Sequence, residues 1–175
     1  QTVPGFVEDP WLLRNPGVPA WIRHELNLRD KKGTDRALTI LSPPLKLQKR
    51  VGKLPRKRVV IYFQDGGDYL NFTGIANLIA NLSSQQDMPL ISAVFIPPKN
   101  RDTEYGLGPD GDRYVQFVTE TVVPHVESRL GAYLPSERLI MGPSLGGLIS
   151  IYTALKRQDV FPNVASESGA FHWKK

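Results

Sequence analysis

The sequence contains no cysteine, and that absence removes whole classes of protein. A disulfide framework, a cysteine-ligated metal and a thiol nucleophile are all excluded. Histidine is scarce, with three residues, and nothing in the chain has metal-ligand spacing. Asp110 and Asp112 flank Gly111, but the rest of a calcium-loop pattern is missing, so they read as turn and helix N-cap. No initiator methionine is present: the chain opens QTVPGF, as a processed or partial chain does, and carries no signal peptide. The uncharged run from Leu139 to Leu155 has 17 residues, just short of a membrane span. Gly142-Pro143 and Gly146-Gly147 break it, so it reads as strand, turn and helix, and no membrane span is expected.

What is there is globular. The chain has 175 residues, 41% of them hydrophobic and 22% charged, enough for one domain with its own core. Fifteen glycines and fifteen prolines imply many turns. The net charge of +5 sits in one place: residues 46–58, KLQKRVGKLPRKR, carry seven positive charges and no acid, which leaves the remainder at −2. Such a run attracts nucleic acid, an anionic membrane or an anionic small molecule, or is a solvated loop. No aromatic residue interleaves with the charges, and Gly52 and Pro55 break any basic helix, so no nucleic-acid partner is expected.

Strand and helix signals alternate after an antiparallel start. Residues 20–29 and 36–41 read as paired strands around the turn DKKGTD, closed by Pro43-Pro44. Residues 58–63 and 90–96 are continuous apolar runs of the kind found in buried parallel strands. Asp65-Gly66-Gly67-Asp68 reads as a turn and 73–86 as a helix, with a polar loop from residue 99 to Asp112. Apolar spacing from Tyr114 to Leu130 predicts a helix kinked at Pro124. A strand at 138–142, a helix at 145–157 and a strand at 163–168 complete the order. The order predicts a mostly parallel sheet covered on both faces by helices, with ligands at the carboxyl ends of its strands.

The sharpest local signal is Gly142-Pro143-Ser144-Leu145-Gly146-Gly147, a Gly-x-Ser-x-Gly motif between an apolar strand and a helix. A serine on so tight a turn has a strained backbone, and side chains two residues before and after it would collide. The turn lifts the Ser144 hydroxyl out of the sheet edge and aims the Leu145 N–H at an incoming carbonyl oxygen. Asp65-Gly66-Gly67-Asp68 follows the third strand, where this architecture supplies a second N–H donor.

From Tyr62 to Trp173 the chain resembles the esterase D-like group of α/β-hydrolases, and within it the enterochelin (catechol siderophore) esterases. The matching pieces are YFQDGG at 62–67, NLIANL at 77–82, NRDTEY at 100–105, the stretch from Val122 to Leu148, and SESGAFHW at 166–173. The resemblance implies an α/β-hydrolase fold, Ser144 as nucleophile, and the N–H groups of Leu145 and Gly67 as oxyanion hole. It implies Asp68, Arg101, Glu104 and His172 as substrate-binding residues at the rim, a small-molecule ester as substrate and no cofactor, and it leaves the compartment open between bacterial cytoplasm and periplasm. Relatives in the wider group cleave feruloyl or acetyl esters of polysaccharides.

In that family the catalytic acid and histidine follow later strands, so the domain is expected to lack its C-terminal part beyond the sixth strand. Of the three histidines, His24 lies in the opening hairpin and His125 shares a helix face with Val118 and Val122, as a packed histidine does. His172 follows the strand beside the nucleophile strand and reads as a pocket wall or a substitute base; Glu167 reads as a strand-end polar residue. Two readings follow: a serine esterase, or a non-catalytic α/β-hydrolase-like binding module.

Overall fold

The computed structural model describes residues 7–31, 33–44, 47, 57–85, 87–130 and 137–172. Six strands form one sheet: β1 (Ile22–Arg29), β2 (Asp35–Ser42), β3 (Arg58–Gln64), β4 (Leu90–Ile96), β5 (Glu137–Pro143) and β6 (Asn163–Glu167), in the order β1-β2-β4-β3-β5-β6. β1 and β2 are an antiparallel hairpin, β2 runs antiparallel to β4, and β4, β3, β5 and β6 are mutually parallel. This is the mostly parallel sheet that the order of signals predicts, in the α/β-hydrolase arrangement that the resemblance implies.

Strand periodicity splits the core into two layers. Val60, Tyr62, Val94 and Ile96 face the core formed with Tyr114, Val118, Val122, Val126 and Ile149. Phe63, Ile91, Ala93 and Phe95 face the opposite side, against Tyr69 and Ile79. β4 is buried at all seven of its residues, which is why Leu90–Ile96 is one unbroken apolar run.

The helices differ from expectation in three places. The expected turn at 65–68 is the start of α1 (Gly66–Phe72), and the helix expected over 73–86 shortens to α2 (Ile75–Ser83). The loop expected up to Asp112 holds α3 (Arg101–Glu104) and the beginning of α4 (Pro109–Gln116). Asp110 and Asp112 are therefore not an N-cap. They lie in the first turn of α4, opened by Pro109 at its first position, where acids complement the helix dipole.

The third difference lies between α4 and α5 (Val123–Leu130), where Phe117–Val122 is π-helical. The distortion expected at Pro124 takes the form of this wide turn just before it. The buried residues run from Val118 and Thr119 to Val122 and Val123, and then to Val126 and Leu130. His125 lies off this buried face: it is exposed, with its Nδ1 2.7 Å from the carbonyl oxygen of Thr121. His125 is thus not the packed histidine that uniform helical spacing predicts. The basic run at 46–58 lies, apart from Leu47, Lys57 and Arg58, outside the described residues.

Candidate active site

β3 and β5 are adjacent and parallel, with Phe63 opposite Met141, so the segments that follow them emerge side by side at one sheet edge. Ser144 stands between β5 and α6 (Leu145–Lys156) with φ 52° and ψ −117°. A non-glycine residue in such a conformation costs about 1–3 kcal/mol and persists only where its surroundings enforce it. The enforcement is visible. The Ser144 N–H donates to the Glu167 carbonyl at 2.9 Å, and the Ser144 carbonyl accepts from Leu148 and Ala170, each at 3.0 Å. The residues that follow β6 therefore strap the elbow from one side.

The glycines provide the room. A Cβ on Gly142 would stand 2.8 Å from the Gly146 carbonyl, and one on Gly147 would stand 2.4 Å from Ser166 Oγ. Ser144 is exposed, and its hydroxyl does not turn back to cap α6. The Leu145 N–H, at the first position of α6, has no acceptor within the helix.

The segment after β3 is held as tightly. Asp65 is left-handed, with φ 56° and ψ 36°, and almost fully buried. Its N–H donates to the Tyr105 hydroxyl at 2.9 Å. Its carboxylate accepts two bonds from the Arg101 guanidinium, both 2.8 Å, and Arg101 Nη2 also reaches the Pro143 carbonyl at 3.4 Å. Of the glycine pair, Gly66 is the one that sterics demand: a Cβ there would stand 2.3 Å from the Ile96 nitrogen, whereas one on Gly67 meets only Pro97 at 3.9 Å. Beneath both segments lies Gln64, wholly buried, whose Oε1 accepts from the Tyr114 hydroxyl and whose Nε2 has no partner.

The residues expected at the rim divide. Asp68 is exposed in the first turn of α1. His172 is exposed, two residues past Ala170. Glu104 is buried and fully engaged: its carboxylate accepts from Arg36 at 2.7 and 2.9 Å and from the N–H groups of Lys99 and Asn100. It braces the loop carrying Arg101 and has no oxygen left for a ligand. Glu167 accepts from the Tyr69 hydroxyl at 2.7 Å, and burial, followed by this carboxylate, pushes the Tyr69 phenol well above its ordinary range. It stays a donor at any physiological pH. His24 lies on β1, four strands from β5, 3.3 Å from Ser42 Oγ.

Sequence reasoning passed over Asp65, Tyr69 and Tyr105 as partners of the elbow. Asp65 and Tyr105 lie within the stretches YFQDGG and NRDTEY, but nothing local says that an aspartate at a turn meets an arginine 36 positions later. A cleft of about 330 Å³ lies away from Ser144, between the β1–β2 turn and α3–α4, with Arg36, Tyr114 and Phe117 among its lining residues.

Comparison with known proteins bears on this arrangement. The family described as "Putative esterase" matches residues 45–174. The uncharacterized protein YbbA of Bacillus subtilis (strain 168) is 28% identical over 162 residues, covering 85% of this chain and 62% of that protein. Among solved structures, the enterobactin esterase of Shigella flexneri superposes with a TM-score of 0.74 at 19% identity, over 93% of this chain and 40% of that one. A ferulic acid esterase of the anaerobic fungus Anaeromyces mucronatus gives 0.65 at 16% identity, over 93% of this chain and 64% of that one. The chain thus spans less than two thirds of the length of each of these proteins, and the likeness to the two solved structures is one of fold. Since the family match covers most of the sequence, including the strained serine and the turn beside it, the chain belongs to the esterase family of α/β-hydrolases.

Proposed function

We propose that this chain carries the nucleophile of a serine carboxylic-ester hydrolase acting on esters of ferric catechol siderophores such as enterochelin. The observation that carries the reaction type is Ser144 itself: exposed, uncapped, and held in a strained conformation at the end of β5. Its Oγ attacks the ester carbonyl carbon, its proton passes to a base, and the carbonyl oxygen takes the negative charge. The N–H groups of Leu145 and Gly67 stabilise that oxyanion, the alcohol leaves, and water releases the acyl group. Of the histidines among the described residues, His172 is the one that follows β6 beside the elbow. His172→Ala tests whether the base belongs to this chain.

The siderophore assignment draws on the motifs from YFQDGG to SESGAFHW and on the fold shared with an enterobactin esterase. The seven positive charges at 46–58 add a preference for anions, although one of them, Lys57, pairs with Glu137. Arg101 adds less, because Asp65 already matches its charge. That pairing favours a second reading, a neutral feruloyl or acetyl ester, in line with the fold shared with the ferulic acid esterase.

The test has two arms. Ser144→Ala is expected to abolish fluorophosphonate labelling and p-nitrophenyl ester turnover; normal labelling of the alanine variant overturns the nucleophile. Ferric enterochelin, titrated by fluorescence quenching, is expected to bind tightly and to weaken as salt rises. Better binding of neutral feruloyl esters at every salt concentration replaces the siderophore with the second reading.

A further inference from the structure

We infer that the Arg101–Asp65 ion pair is a positioning device that locks the Asp65–Gly67 backbone to the Ser144 elbow; its kinetic consequence rests on Ser144 being the nucleophile. The first observation is what Asp65 declines to do. Aspartate at an N-cap normally accepts a bond from the second or third N–H of its helix. Asp65 stands at the N-cap of α1 and makes no such bond. Its carboxylate turns instead to Arg101, which grips both oxygens at 2.8 Å in the fork geometry that only arginine offers.

The second observation is where that carboxylate lies. A Cβ on Gly146 would stand 2.7 Å from Asp65 Oδ2, so the carboxylate packs directly on the elbow. The same guanidinium reaches the carbonyl of Pro143, the residue before the nucleophile. One side chain thus spans the backbone on both sides of the reacting position.

The third observation is the footing of Arg101. Asn100 caps α3 through the Thr103 N–H at 3.1 Å, and Glu104 anchors the other end of α3 to the buried Arg36 on β2. Tyr105, the next residue, holds the Asp65 N–H. Every contact of NRDTEY named here therefore points to one task, fixing the left-handed Asp65 against the elbow. Arg101 and Glu104 act through other residues, and substrate contact is not needed to explain them.

The experiment compares wild type with Asp65→Asn, Arg101→Gln, the double variant and Arg101→Lys. Far-UV circular dichroism checks the fold, and the lysine variant keeps the charge should the glutamine variant not fold. Fluorophosphonate inactivation is resolved into a binding constant and a maximal rate, and amide hydrogen exchange is followed over residues 64–70 and 142–147. The expected result is a maximal rate lowered about 10–100-fold by either single change, with the binding constant unchanged. The double variant should be no slower than the slower single one, the lysine variant should lie between, and exchange should accelerate in both segments together. Two results overturn the inference: Arg101→Gln weakening binding alone while Asp65→Asn behaves as wild type, or faster exchange confined to residues 99–105. If the wild type is not labelled at all, Ser144 has no working base in this chain, and the exchange measurement alone decides for or against the lock.

Discussion

At the scale of single residues, backbone strain falls on the proposed nucleophile. Ser144 occupies a conformation that glycine adopts at little cost. Ser144→Gly is therefore expected to raise the melting temperature, by relief of about 1 kcal/mol of strain, while lowering ester turnover at least about 10³-fold. A drop in melting temperature would show that the elbow is not strained. The glycines of the neighbouring segment separate just as cleanly. Gly66→Ala drives a methyl group into the β4 backbone at Ile96 and should cost about 3 kcal/mol. Gly67→Ala meets no obstacle inside α1, keeps its N–H, and should change stability by less than about 1 kcal/mol, toward greater stability. Denaturant midpoints of the two variants measure the contrast.

At the scale of elements, the π-helical turn and the α3 brace matter most. After the π turn, α5 buries Val123, Val126 and Leu130 and leaves His125 exposed, so His125→Ala should shift stability by less than about 0.5 kcal/mol. A loss of several kcal/mol would restore the packed histidine of uniform spacing. The Arg36–Glu104 pair is its opposite. Its side chains are 8% and 12% exposed, joined at 2.7 Å, with Arg36 lying 4.6 Å over the Phe117 ring. Arg36 also pairs with Asp30 at 3.3 Å, so Glu104→Gln removes one of its two carboxylates and should cost about 1–3 kcal/mol in denaturant unfolding.

At the scale of the whole molecule, charge distribution and topology set how a ligand arrives. The sheet order brings β3 and β5 together in the parallel part of the sheet, so the elbow and the Asp65 segment meet without a long loop. The net charge of +5 is concentrated in a segment that enters β3 at the end opposite these two. Attraction from there acts over distance. It should be strong at low salt and fade as the screening length falls from about 10 Å at 0.1 M to about 3 Å at 1 M. The association rate of an anionic ester is thus expected to drop with salt more steeply than its dissociation rate rises, as stopped-flow binding would read. A salt-independent association rate would remove the basic segment from the account.

The sequence by itself determined the strands, the parallel order and the nucleophile motif. Continuous apolar runs and a Gly-x-Ser-x-Gly spacing are local statements, written within a few residues. β4 runs from Leu90 to Ile96 as its apolar run predicts, and Ser144 stands between β5 and α6 as its glycines require. The short helices α1 and α3 escaped notice because segments of seven and four residues that contain or adjoin glycine, aspartate and asparagine carry turn signals as strongly as helical ones. What only the tertiary structure decided are the partnerships. Arg101 meets Asp65 across 36 positions, Arg36 meets Glu104 across 68, and Tyr69 meets Glu167 across 98. Charge and hydrogen-bonding capacity are visible in a residue's identity. The acceptor that satisfies them is set by which strand ends the fold brings together, and that depends on the packing of the whole sheet.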